Sequence, residues 1–310
     1  MSERRSHLLA VAAMAVAAAI WGSAFPATKY LQEAGLGVNT LLALRFALAS
    51  VALLGLTLAR GSRWKASDVR DGLVAGVVLA SLFWLQTAGL ETTSTTKNAF
   101  ITGLYVIFTP MVALAFGERL KVPHALAVLV AAFGLVGLVF KPGESFGGWG
   151  HGDTLTLANA VLIGLHIVLI GRYSRRCDTW VLTFTQIAVV AVACTCFAVV
   201  FPKGGFQASH GLQLRGTWIA LLWLGLAGTA LTMYLQARFQ PWLTATEAGI
   251  IFSLEPVVAT LLAVSGWIPG VKDSLVPRQW LGGALIVAAA LVAELGPRMW
   301  GRKAEGVLGP

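Results

Sequence analysis

Charge is what this chain has least of. Asp, Glu, Lys and Arg together make up 12% of its 310 residues, and only 14 of those residues are acidic. With 57% hydrophobic residues, too few charges remain to cover a soluble surface, so a water-soluble domain is excluded. Cysteine is almost absent as well. Cys177, Cys194 and Cys196 are odd in number and show no Cys-x-x-Cys or Cys/His spacing, so neither a disulfide framework nor a metal site is expected. No Gly-Lys dipeptide occurs, which removes the Walker phosphate loop and the usual sign of ATP as an energy source. His-Glu-x-x-His is missing too.

Long apolar runs stand in place of charge, and the mean hydropathy is +0.76. About 20 apolar residues rising 1.5 Å each cross a hydrocarbon core of about 30 Å. Ten runs meet that length: 8–30, 38–59, 70–90, 94–116, 122–140, 152–171, 179–201, 216–238, 243–265 and 278–297. Apolar residues are continuous through each run and do not alternate, so the reading is an all-α membrane protein and not a barrel. The net charge of +9 follows topology: with the N-terminus in the cytoplasm, fifteen Lys and Arg fall inside, seven outside, and Arg45 lies within a span. Both termini are therefore expected in the cytoplasm. No basic stripe interleaved with aromatics points to nucleic acid. The apolar run after MSERRSH continues to Tyr30, longer than a signal-peptide core, and is read as a retained first helix. Trp64, Trp149, Trp180, Trp242, Trp267, Trp280 and Trp300 fall near span ends and read as interface anchors.

The two halves share their punctuation. Thr109-Pro110 matches Glu255-Pro256, with Thr102-Gly103 on Ala248-Gly249 at the same offset. Trp84-Leu85-Gln86 matches Tyr234-Leu235-Gln236, Val122-Pro123 matches Val276-Pro277, and Asn39-Thr40 matches Asp178-Thr179. These matches define a five-helix unit used twice, residues 1–143 and 144–300, followed by a tail at 301–310. Because five is odd, the second copy enters from the opposite side, giving ten transmembrane helices as two inverted repeats. Folds of that kind bind their ligand near the midplane, between the copies.

Polar residues inside the spans are the candidate site. Glu255 lies about twelve residues into the ninth span, roughly 18 Å deep. A charge at that depth costs about 2.5–3.5 kcal/mol and must face a wet cavity or a partner. Three roles fit it: accepting from backbone donors freed by Pro256, contacting substrate or a proton, or pairing with Arg45. His166, mid-way along the sixth span, fits a proton relay or substrate contact, and equally a neutral imidazole bonded to a neighbouring carbonyl. Gln86 and Gln236 fit cavity lining or interhelical hydrogen bonding. Trp21, followed by Gly22 and Pro26, marks a closely approached, irregular segment that could face substrate. Lys97 and Asn98 start the fourth span, where Lys97 could snorkel or gate; Thr102 and Tyr234 complete the candidate lining. Pro26, Pro110 and Pro256 are expected to kink their helices. Gly150-His151-Gly152-Asp153 is similar to an element of intramembrane aspartyl proteases, but the second aspartate that chemistry needs on a facing helix is missing. Asp153 reads better as the N-cap of the sixth helix.

TrpGly in the first span, Arg45 in the second, the run TSTTKNAFITGLYVIFTP through GERL and the later SLEP together resemble the EamA-like ten-helix exporters of the drug/metabolite transporter superfamily. The resemblance covers nearly the whole chain. It implies a central cavity between the halves and export of small metabolites such as amino acids across a bacterial inner membrane. Trp21 and Gly22, Thr109-Pro110, Glu255-Pro256 and Gly117-Glu118-Arg119-Leu120 fit the family's motifs. The second copy carries GWIPGVKDSLVP where the first has Gly-Glu-Arg-Leu, so symmetric gating loops are not implied. The expectation is a secondary active transporter working by alternating access on amphipathic or zwitterionic metabolites, without cofactor or metal, with Glu255 or His166 available to carry a coupling proton. Its partners are the small-molecule substrate and membrane lipids, and it is a monomer or homodimer. The rival readings are a membrane-embedded enzyme, which lacks a paired catalytic constellation, and a channel, which lacks charged rings.

Overall fold

The computed structural model describes residues 3–93, 95–139, 149–201, 212, 215–265 and 276–305, and among them every regular element is helical. Helices α1 (Glu3–Glu33), α2 (Val38–Ala59) and α3 (Ala66–Thr92) cross unbroken. The fourth crossing is divided into α4 (Thr95–Gly103) and α5 (Tyr105–Ala115), and α6 (Val122–Val139) ends the first copy. In the second copy, α7 (His151–Tyr173) and α8 (Thr179–Val200) cross unbroken. The eighth crossing runs through α9 (Arg215–Leu222), a π-helical stretch (Trp223–Leu231) and α10 (Thr232–Phe239) into a 3-10 turn (Gln240–Trp242). The ninth comprises α11 (Ala245–Phe252) and α12 (Glu255–Ser265), and the last is α13 (Pro277–Glu305), which runs past its expected end. Eight of these crossings are long and apolar by composition; the shorter Val122–Gly137 and Pro277–Ala293 make ten. The boundary expected at 143/144, Trp267, the loop 266–275 and residues 306–310 lie outside the described residues, as does the side chain of Trp300.

Contacts between the copies obey a pseudo-two-fold. Helix α2 packs on its own counterpart α8, and α6 on α13. The α3–α7 contact is repeated by α1 against α10 and the π stretch, and the α5–α7 contact by α1 against α12. With an odd number of crossings per copy, that axis lies in the membrane plane, so the repeats are inverted. Exposure is also inverted relative to a soluble protein. Phe133 is 71% exposed and Val199 69%, while Asn98, Thr109 and Thr229 are fully buried. Apolar side chains face lipid because lipid accepts them; polar ones turn inward because hydrocarbon offers no hydrogen bonds.

The expected proline kinks are only partly where the prolines are. Pro26 sits inside an unbroken α1, and Pro110 sits inside α5, with the interruption earlier, at Leu104. Pro256 is the second residue of α12, after a break at Ser253 and Leu254. At a helix start the missing N–H is not needed, so Pro256 is accommodated without distorting a continuous helix. Asp153 corrects a second expectation. Gly150 is the N-cap of α7, and Asp153, three residues on, accepts its backbone N–H at 2.7 Å.

At the end of the bundle where α3 begins, Asp71 receives Arg176 at 2.6 Å and Arg70 at 3.2 Å. The Cys177 thiol is 3.5 Å from Asp71 Oδ2, and burial, with Asp68 beside it, pushes its pKa up to about 12. Trp64, Trp149, Trp242 and Trp280 are exposed, as anchors should be. Trp180 instead stacks on Tyr234 with ring centroids 4.2 Å apart, capped by Arg60.

A close crossing brings Gly22 of α1 onto the start of α12. A Cβ at Gly22 would sit 2.7 Å from the Glu255 carbonyl oxygen and 3.0 Å from the Ala259 nitrogen, both backbone atoms that cannot swing aside. Gly22→Ala is expected to destabilise the protein by about 1–3 kcal/mol through overpacking. Gly55→Ala, where a Cβ meets nothing within 4 Å, should instead stabilise α2 by roughly 0.5–1 kcal/mol. Unfolding of both variants in the same detergent checks the pair of opposite signs.

Candidate functional site

A cavity lies between the two copies, about 760 Å³ when the open space at its mouth is included. Trp21, Phe25 and Thr28 come from α1, Arg45 from α2, Phe83, Gln86 and Thr87 from α3, and Tyr105 from α5. The second copy contributes His166 from α7, Met233 and Gln236 from α10, Phe252 from α11 and Glu255 from α12. The wall is mostly apolar and aromatic, with polar groups spaced around it, the usual make-up of a small-molecule site.

Glu255 is the first residue of α12 and 9% exposed. The unpaired N–H groups of the half-helix start give that position a partial positive charge, which favours a carboxylate. The Tyr105 hydroxyl donates to Glu255 Oε2 at 3.4 Å. Gly22 lets α1 approach the same residue's backbone, so the carboxyl is held where both broken crossings meet α1.

Arg45 does not pair with Glu255, one of the three roles open to that carboxyl. Its Nε donates to Thr229 Oγ1 at 2.8 Å and its Nη2 to the Gly228 carbonyl at 3.1 Å. The guanidinium also lies over the Phe83 ring at 4.8 Å and the Phe46 ring at 5.5 Å, which suits a delocalised cation out of water. The π stretch makes this anchor: Thr229 Oγ1 donates five residues back, to the Leu224 carbonyl, and Gly225 has no Cβ to meet the Arg45 carbonyl, which would lie 3.1 Å away. The Gly228 carbonyl also receives the Trp21 indole N–H at 3.2 Å. One carbonyl of the second copy thus fixes two cavity side chains of the first. Trp21 then stands edge-on to Phe252, centroids 4.9 Å apart.

His166 Nε2 lies 2.8 Å from Gln186 Oε1, so its partner is a buried side-chain amide and not a backbone carbonyl. Gln236 lines the cavity and donates to Gln240 Oε1 at 3.0 Å; Gln240 in turn donates to the Ile167 carbonyl. Gln86 also lines it. Four expected residues stand elsewhere. Lys97 pairs with Asp153 at 2.6 Å. Asn98 donates to Thr156 Oγ1 at 2.8 Å, and Thr102 accepts from Asn159 at 3.3 Å, forming a polar ladder between the fourth crossing and α7. Tyr234 stacks on Trp180, just as its repeat counterpart Trp84 contacts Asn39, so both aromatics point away from the cavity. Of the prolines, none lines the cavity.

Sequence reasoning missed Tyr105, Gln186 and the Gly228-Thr229 anchor. Tyr105 had a signal, being the large polar residue five positions before Pro110 in the duplicated motif. Gln186 and Thr229 had only their position within apolar runs.

The sequence model of the EamA-like transporter family matches residues 8–140 and again 150–294. An uncharacterized transporter of Archaeoglobus fulgidus is 30% identical over 297 residues, covering 95% of this chain and 88% of that one. A crystal structure of a protein superposes with a TM-score of 0.75 over 94% of this chain and 98% of the other, at 21% identity, which shows the fold. This chain belongs to the EamA-like transporter family, and it is an integral membrane protein of transporter architecture.

Thr229→Val keeps the shape of the side chain and removes the acceptor for Arg45 Nε. A loss of about 1–3 kcal/mol is expected from the stranded donor. Thr229→Ser should retain most of the stability, and chemical or thermal unfolding of the two variants side by side checks the difference.

Proposed function

We propose that this transporter exports small amphipathic or zwitterionic metabolites, amino acids among them, as a secondary transporter working by alternating access. The observation that carries the reading is a fixed cation, Arg45, and a carboxyl group, Glu255, lining one aromatic cavity without pairing with each other. A zwitterion has the complementary charges, and Trp21, Phe25, Phe83 and Phe252 suit an apolar body. The cavity's place between inverted copies supports a mechanism in which one copy rocks against the other. Without substrate, Glu255 is a carboxyl in an apolar setting with a single weak donor, which suits a group that takes up and releases a proton. The excess of Lys and Arg on one side supports cytoplasmic termini, and the family resemblance is what supports insertion in a bacterial inner membrane.

Uptake and counterflow of aromatic and aliphatic amino acids and of nucleosides in reconstituted vesicles test the substrate class. Arg45→Gln should lower transport of carboxylate-bearing substrates about tenfold or more, since a charge-assisted contact is lost. Glu255→Gln should flatten the pH dependence of flux. Undiminished pH dependence in that variant removes Glu255 from coupling.

A further inference from the structure

A second group of titratable side chains lies away from the cavity, where α1, α6 and α11 begin. Glu247, in the first turn of α11, accepts the Thr244 backbone N–H at 2.7 Å and the Thr244 hydroxyl at 3.0 Å through Oε2. Its other oxygen, Oε1, faces two imidazoles: His124 Nε2 of α6 at 3.4 Å and His7 Nε2 of α1 at 4.0 Å. His124 is 2% exposed, and its Nε2 reaches no well-aligned hydrogen-bond partner although it points at this carboxylate. Both histidines belong to the first copy and the carboxylate to the second, so the group bridges the copies at one end of the bundle. The geometry points to a proton-operated latch: protonation of His7 and His124 ties α1 and α6 to α11 through Glu247 and holds this end of the protein closed.

Imidazole gains its charge near neutral pH, where a carboxylate beside it is already ionised. A neutral, poorly aligned His124 adds little to the tie; the imidazolium adds Coulomb attraction that needs no ideal angle. The other charged groups at this end include Arg5 on α1, Glu118, Arg119 and Lys121 between α5 and α6, Arg172 on α7 and Arg238 on α10, while Asp71 is paired with Arg70 and Arg176, and Asp68 accepts the Asp178 backbone N–H. Glu118 accepts the Ala245 backbone N–H, and Arg172 donates to the Phe116 carbonyl, so both are committed to backbone groups. The side chains of α13 from residue 294 onward lie outside the described residues. Asymmetry between the copies strengthens the inference. At the opposite end, the counterparts of α11 and α1 are α4 and α7, and they are joined by Lys97 and Asp153 at 2.6 Å. Ammonium–carboxylate pairs keep their charges across the neutral range. The Lys97–Asp153 end therefore carries a fixed tie, whereas the His124 end carries, beside the fixed Asp71–Arg176 pair that also joins the copies, a tie that strengthens in acid, so acid on the His124 side should bias which mouth opens.

The inference rests on reading the cavity as alternately open to each side, and its test reads distance and not flux, so it stands or fails separately from the choice of substrate. Spin labels at Lys121→Cys and Trp242→Cys, with Cys177→Ser, Cys194→Ala and Cys196→Ala, report the gap between the copies in lipid nanodiscs. From about pH 8 to about pH 6, the ratio of short to long distances should rise about threefold, as a partly buried ion pair forms. His7→Gln with His124→Gln should abolish that rise. Glu247→Gln, which leaves the histidines without an acceptor charge, should abolish it as well. His7→Gln alone, at a partly exposed position, gives the variant least disturbing to the fold and should diminish it. Distances that do not respond to pH in the parent protein, or that respond equally in all the variants, overturn the latch.

Discussion

Hydrocarbon offers no water, so a polar group carried into a membrane span must find its partner within the protein, and a group too large or too charged for its own helix must find it on another. That constraint organises this structure. Arg45 reaches the eighth crossing for Thr229 and Gly228, Tyr105 reaches across to Glu255, and Asn98 and Thr102 meet Thr156 and Asn159. Each of these bonds joins one copy of the repeat to the other. The price of burying polar groups is thus converted into specificity for one arrangement of ten helices, while the lipid-facing surface stays apolar and undemanding. The central cavity is the place where this mutual satisfaction is left incomplete.

How the cavity keeps its polar groups apart follows from the same logic. Two of its side chains, Arg45 and Trp21, donate to the same Gly228 carbonyl, which a regular helix would have used internally. Glu255 is served by a half-helix start and a phenol. Each charge is stabilised by neutral dipoles and aromatic faces, so neither needs the other. A direct Arg45–Glu255 pair would close the site with its own charges; solvation by neutral groups leaves both available to a ligand.

The fold was largely legible in the sequence because its signals are long. Ten apolar runs, the charge bias of the loops and four matched motifs fix helix number and inversion without any detail of packing. The cavity was legible where a polar residue is costly and deep: Trp21, Gln86, His166, Gln236 and Glu255 all line it. Residues near span ends were not, since sequence depth says nothing of which way a side chain turns. Lys97 and Asn98 find partners on α7, and Tyr234 turns to Trp180. Proline marks where a donor is lost, yet neighbours decide where a helix yields, which is why Pro110 sits inside α5 while Pro256 opens α12. The π stretch was invisible, because no residue type demands it.

That stretch sets the copies apart. Helix α3 runs unbroken for 27 residues, whereas its counterpart widens over Trp223–Leu231 and slips its side chains around the axis. A widened turn accommodates one residue more than an α-helical turn of equal rise, the trace an inserted residue leaves behind. Removing one residue there would restore the regular spiral, rotate Gly228 and Thr229 by about 100° about the helix axis and carry them away from Arg45. Symmetry between the copies has been surrendered at this site, and the two halves of the molecule are no longer interchangeable.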